Sequence, residues 1–127
     1  MLLSGHSAVV PVAGQAWRSD PWLVTERDAR LYGRGTCDMK GDVALAIRAL
    51  VAGSKRGLKR PLQIAISYDE ELGCTGAPPM IAAIAHVLPL AAVALIGEPS
   101  RMALINGHKS GTGYNVHVCD RRSVCWS

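Results

Sequence analysis

The chain has no phenylalanine, and only three tryptophans and three tyrosines among its 127 residues. Basic residues without aromatic interleaving make a poor surface for stacking bases, so no nucleic-acid partner is expected. The net charge of +4 depends largely on Lys55, Arg56, Lys59 and Arg60, with Arg121 and Arg122 near the end. The middle cluster reads as a solvated helix end and loop, with cations near the negative pole of the helix dipole. Long apolar runs are also missing. The densest, Ile81 to Ile96, contains His86 and Pro89 and falls short of the roughly 20 residues that span a bilayer. No membrane partner is expected. Met1-Leu2-Leu3 leads straight into Ser-Gly-His with no basic start or long apolar core. No secretory leader is read there, and a cytoplasmic location is expected.

Several nucleotide and redox signatures are absent too. Cys37, Cys74, Cys119 and Cys125 form no C-x-x-C pair, which argues against a zinc ribbon or a thioredoxin-like motif and for reduced thiols. Gly33-Arg34-Gly35 meets Asp38 where a dinucleotide fingerprint needs glycine, and Met39-Lys40-Gly41 lacks the order of a phosphate-binding loop.

What remains is a globular composition, 49% hydrophobic and 19% charged, with enough length for one small domain. Leu2-Leu3 opens as a strand. Val9 to Val12 is β-rich but broken by Pro11, and Ala13 to Asp28 reads as a surface loop, with Trp17 and Trp22 covering apolar surface beside it. Asp28-Ala29-Arg30 turns into a strand at Leu31-Tyr32. Met39 to Ser54 is the clearest helix, with apolar residues at Met39, Val43, Ala46, Ile47, Leu50 and Val51, the spacing of one helical face. Leu62 to Tyr68 is a strand, a second helix starts near Pro78-Pro79, and Ala91 to Ile96 reads as a central strand apolar on both faces. Met102 to Ile105 is strand-like. The alternation predicts an α/β fold with a mostly parallel sheet and flanking helices.

Four short runs end on side chains that bind metals. They end on His6, on Asp38, on Asp69-Glu70-Glu71 and on Glu98. A carboxylate at the edge of a buried strand is costly unless a positive partner offsets its desolvation. His6 to Asp38 is 32 residues, Asp38 to Glu71 is 33, and Glu71 to Glu98 is 27. A strand–helix–strand unit takes about 30 residues, so the four groups could meet at the carboxyl ends of parallel strands. Each also has a simpler reading. Asp38 could cap the helix that follows it, and Asp69-Glu70-Glu71 could be a solvated acidic turn. His86 reads as a helix-surface residue, His108 as part of a turn, and His117 carries little information.

Leu3-Ser4-Gly5-His6, Gly33-Arg34-Gly35-Thr36-Cys37-Asp38-Met39-Lys40-Gly41, Ser67-Tyr68-Asp69-Glu70-Glu71-Leu72-Gly73-Cys74 and Ile96-Gly97-Glu98-Pro99-Ser100 together resemble the co-catalytic zinc amidohydrolases and peptidases. That group includes aminoacylase, the glutamate-type carboxypeptidase and succinyl-diaminopimelate desuccinylase. The likeness covers roughly residues 2 to 116. It implies two zinc ions, with Co2+ as a substitute, and a small acylated amino acid as substrate. By the same resemblance His6 and Glu98 would bind one ion, Asp38 would bridge both, and Glu71 would bind the second. Glu70 would be the general base.

The chain departs from that family in three ways. The family has an aspartate two residues after the metal-binding histidine, where this chain has Ala8; losing such a support costs about 10- to 100-fold in affinity or activity. The family's last zinc ligand is a histidine near the end of a longer chain, and the family has additional residues before the first strand. Its lid and dimerisation domain, through which it forms homodimers, has no counterpart here. The expectation is therefore a partial catalytic domain over residues 1–116 and an aberrant or disordered tail over 117–127, produced by a frameshift or premature stop. Two alternatives stand beside a hydrolase fragment: a non-catalytic remnant, and a fragment of a sister specificity.

Overall fold

The structure is a computed structural model, and it describes residues 1–107, 109 and 111. The tail over 117–127, His108 and His117, and Cys119 and Cys125 lie outside the described residues. Three parallel strands form the main sheet: β1 (Leu2–His6), β4 (Gln63–Ser67) and β5 (Ala94–Ile96), in the order β4-β1-β5. The first strand in sequence is thus the middle one in space. Leu2 pairs with Gln63 on one side and with Ala94 on the other, and His6 sits opposite Ser67. The ladder continues past the strands through Ser7 N–H to Ser67 O at 2.9 Å and Gly97 N–H to Ser4 O at 2.9 Å. The expected α/β class is what the structure shows.

Helix α1 (Gly41–Ser54) packs on β1 and β4, and helix α2 (Ala77–Ala85) packs on β4. α1 has no glycine or proline in its interior until Gly53, and its inward stripe is Val43, Ala46, Leu50 and Gly53. Ile47 and Val51, placed on that face by the sequence, are exposed. The stripe is narrower than the apolar pattern, because only two strands lie beneath the helix. α2 starts as expected, with proline in its first turn, where the missing N–H loses no helical bond.

Four expectations need correction. The segment Ala13 to Asp28 is not all loop: Thr25–Arg27 forms β2, which pairs antiparallel with β3 (Arg30–Tyr32). The hairpin turns on Asp28 and Ala29, both with positive φ (52° and 55°), the geometry a two-residue hairpin needs. Trp22 is mostly solvent-exposed, at 63%, rather than packed over apolar surface. β5 is shorter than Ala91 to Ile96 and is an edge strand of the described sheet, exposed along its length. Met102 to Ile105 is not a strand but an irregular, exposed segment. Among the described residues both cysteines, Cys37 and Cys74, are free and exposed, as reduced thiols should be. No helix among the described residues is long and apolar enough to cross a membrane.

Candidate metal centre

β1 ends on His6, whose residue is only 2% exposed. Its Nδ1 lies 2.9 Å from the Ala8 carbonyl oxygen. A carbonyl can only accept, so Nδ1 carries a proton, and in the neutral ring Nε2 presents its lone pair. That nitrogen stands 3.3 Å from Asp38 Oδ1, 3.8 Å from Glu70 Oε2 and 4.0 Å from Glu98 Oε1. The absent carboxylate at position 8 is thus replaced, for the purpose of holding the imidazole, by the main chain of the same residue.

Three of the four segments reach this point from the carboxyl ends of parallel strands, as the spacing anticipates. Glu70 and Glu71 follow β4 on a short 3₁₀ turn (Glu70–Leu72), entered through Asp69 at φ 50°. Glu98 follows β5 by two residues. Asp38 arrives differently. The strand before it, β3, belongs to the separate hairpin, and Asp38 lies in a single π-type turn (Thr36–Lys40) ahead of α1. It caps nothing: α1 begins after Lys40 without a side-chain cap, and Asp38 itself is extended (φ −121°, ψ 99°). Its carboxylate is turned to the cluster instead.

Two groups of side chains have ligand atoms lying within 4.8 Å of one another: His6, Glu70 and Glu98, and His6, Asp38 and Glu71. Zinc–ligand bonds of about 2.0–2.2 Å allow ligand atoms up to about 4.4 Å apart around one ion, so the three His6 separations already suit one. His6 Nε2, Asp38 Oδ1 and Glu71 Oε1 are buried atoms with no hydrogen-bond partner. Buried polar atoms ordinarily have partners, and a nitrogen lone pair among carboxylate oxygens repels them. A divalent cation fits this donor set. The strain shows at Glu98, where burial pushes the carboxyl pKa above its ordinary 4.5, helped by the charges of Asp38 and Glu70 and opposed by His6.

The structure adds groups that the sequence reading does not single out. The Cys74 thiol donates to Glu70 Oε1 at 3.4 Å, leaving Oε2 facing His6. Its own pKa is raised, first by that hydrogen bond and then by desolvation and the Glu70 charge. The four-residue spacing from Glu70 to Cys74 was the available signal. Beneath the carboxylates lies Met39, 1% exposed, visible in the sequence only as the start of a helical stripe. Further out, the Arg34 guanidinium stacks 4.9 Å from the Trp17 ring and donates to Gln15. This ties the long loop to the segment that leads into Asp38.

Comparison with known proteins shows the family. Residues 2–120 match the family model described as peptidase family M20/M25/M40. The acetylornithine deacetylase of Salmonella arizonae is 41% identical over 118 residues, covering 93% of this chain and 30% of that protein. That of Pasteurella multocida is 39% identical with the same coverage. That of Myxococcus xanthus is 40% identical over 109 residues, 86% of this chain and 27% of its own. The chain therefore spans about 30% of the length of the curated relatives it matches.

Proposed function

The chain belongs to peptidase family M20/M25/M40, and from that premise we propose that it carries the metal-binding part of an amide hydrolase. The substrate class is a small acylated amino acid. The names of the relatives favour N2-acetyl-L-ornithine, whose hydrolysis to ornithine and acetate would place the protein in arginine biosynthesis. The observation that carries the reading is the convergence of His6, Asp38, Glu71 and Glu98 from four distant segments, with buried ligand atoms on His6, Asp38 and Glu71 that have no hydrogen-bond partner.

On this reading His6, Asp38, Glu71 and Glu98 would hold the zinc ions. When bound, the ions supply a water of lowered pKa and positive charge opposite the developing oxyanion. The chain's own residues do the rest. Glu70, assigned here the role of base rather than ligand, removes a proton from the attacking water as the C–O bond forms. It returns that proton to the departing amine nitrogen as the C–N bond breaks. The Ala8 carbonyl keeps the His6 proton on Nδ1. The Cys74 thiol occupies one oxygen of Glu70, so that the other meets the water.

Residues 1–116 are on this reading a partial catalytic domain, and the family's late histidine ligand has no counterpart among them. With only one imidazole among these ligands, one ion is short of a donor, which predicts weak, partial loading and little turnover by the 127 residues alone. Elemental mass spectrometry of the purified chain, with acetylornithine hydrolysis assayed on the same sample, tests this. Metal bound at up to one ion per chain, and lost in His6→Ala, supports the reading. Two ions per chain with turnover would show that the site is complete as it stands. Absence of metal even at millimolar Zn2+ or Co2+ would leave the rival reading, a non-catalytic remnant.

A further inference from the structure

Met39 and His6 are the two largest fully buried side chains among the described residues. The Met39 thioether lies on the backbone of two glycines. A Cβ on Gly5 would stand 2.6 Å from Met39 Cε and 3.3 Å from Sδ, and a Cβ on Gly97 would stand 2.4 Å from the same Cε. Neither glycine has a positive φ, so it is space that requires them. Gly5 immediately precedes His6, Gly97 immediately precedes Glu98, and Met39 immediately follows Asp38. Successive residues of an extended chain face opposite ways. Each glycine therefore turns its bare side to the thioether while its neighbour faces the metal cluster. The first turn of α1 closes on the same two points, with Val43 Cγ2 3.3 Å from the Gly5 Cβ position and Asp42 Cβ 3.2 Å from that of Gly97.

We propose that Met39 is a positioning residue for the metal centre: seated in the notches left by Gly5 and Gly97, its side chain sets the separation of His6, Asp38 and Glu98. An unbranched thioether suits this role, because it is long enough to reach both notches with one methyl group. The inference rests on the proposal above that these residues hold a metal, and the test separates the two. In Met39→Leu the volume is nearly conserved, a swap that cores tolerate, but the terminal methyl is withdrawn from both glycines. Co2+ titration, followed by the visible bands of the bound ion, should show affinity reduced about tenfold, the scale expected for supports behind a ligand. The metal-free melting temperature should move little.

Gly97→Ala should weaken binding in the native background and weaken it much less in Met39→Leu, where the added methyl has room; this is the coupling a double-mutant cycle reads. Ala65→Gly is the control. Ala65 is buried in β4, so its loss disturbs packing, but it adjoins no ligand and should leave affinity unchanged. Native Co2+ affinity in both Met39→Leu and Gly97→Ala, or an equal loss in Ala65→Gly, would overturn the inference. If the native chain binds no Co2+, the metal proposal fails by itself. The His6 ring 15N and 1H resonances of the metal-free chain then decide: displaced by Met39→Leu and not by Ala65→Gly, they uphold the positioning role; unmoved by either, they end it.

Discussion

At Glu98 a cost of assembling the cluster is visible. Its folded pKa lies above the ordinary 4.5 through burial and through the charges of Asp38 and Glu70. The sign follows from linkage. A folded state that binds the proton more tightly than the unfolded chain loses stability as pH rises through the raised pKa. The penalty is absent below the ordinary glutamate range and fully present above the raised value. Removing the charge should remove the penalty. Glu98→Gln is therefore expected to raise the melting temperature of the metal-free chain at pH 8, and the gap from native should close as pH falls toward 4. A gap that is the same at pH 4 and pH 8 would mean that packing of the amide, not charge, is responsible. Ala8 is the other instructive residue. Read as a letter it is a missing carboxylate; in space its carbonyl bonds His6 Nδ1. Main-chain groups have no sequence signature, so this substitution of backbone for side chain could not be read in advance.

At the scale of elements, the loop after β4 is held both by backbone hydrogen bonds, such as Cys74 N–H to Glu70 O at 2.8 Å and Thr75 N–H to Asp69 O at 3.3 Å, and by one close contact. Gly76 backs onto the end of that strand so closely that a Cβ there would stand 2.1 Å from the Tyr68 carbonyl oxygen. Gly73, by contrast, has a positive φ of 85° and open space around it. Urea denaturation should separate the two. Gly76→Ala must move backbone, at about 1–3 kcal/mol as for an overpacked site, and should also displace Glu70 and Glu71 and weaken metal binding. Gly73→Ala should cost about 1–2 kcal/mol of conformational strain and leave metal binding unchanged. Equal losses would show that the Gly76 contact relaxes freely.

What was legible at this scale follows from pattern length. β1, β4, α1 and α2 carry periodic apolar residues between glycine and proline punctuation, and all four were foreseen. β3 and the turn before it are legible at Leu31-Tyr32 and Asp28-Ala29-Arg30, whereas β2, three residues long, is too short for alternation to register and reads as loop. Asp38 sits where a cap belongs, and sequence spacing could not show that its own backbone is extended. Three members of the cluster are legible as the ends of parallel strands; Asp38, on a turn after the separate hairpin, reaches it by another route.

Across the whole molecule, little is fully enclosed. Met39 and Ala65 are the buried apolar residues among those described, while Leu95 and Ile96 of β5 and Ile66 of β4 are exposed. Both β4 and β5 are outer strands of the described sheet, and open edges with apolar side chains invite association. With so small a core, ligands that bind only the folded chain should count heavily. Saturating Zn2+ at about 100 times its Kd adds about 2.7 kcal/mol, which for a chain of this size should raise the melting temperature by roughly 10 °C. A thermal melt with and without Zn2+ reads this directly. A chelator should reverse the shift, and His6→Ala should abolish it. A shift that survives His6→Ala would place the responsible ion elsewhere.

The middle position of β1 also has a consequence in time. His6 and Glu98 are 92 residues apart, so a ribosome adding about 5–20 residues per second needs roughly 5–20 s to deliver the second after the first. Through that interval the strand that carries the imidazole lacks its full set of neighbours and of carboxylates. Pairing between such distant segments is slow to nucleate. The nascent chain therefore passes through its most vulnerable state while its central strand waits, a window in which chaperone binding or proteolysis competes with assembly of the site.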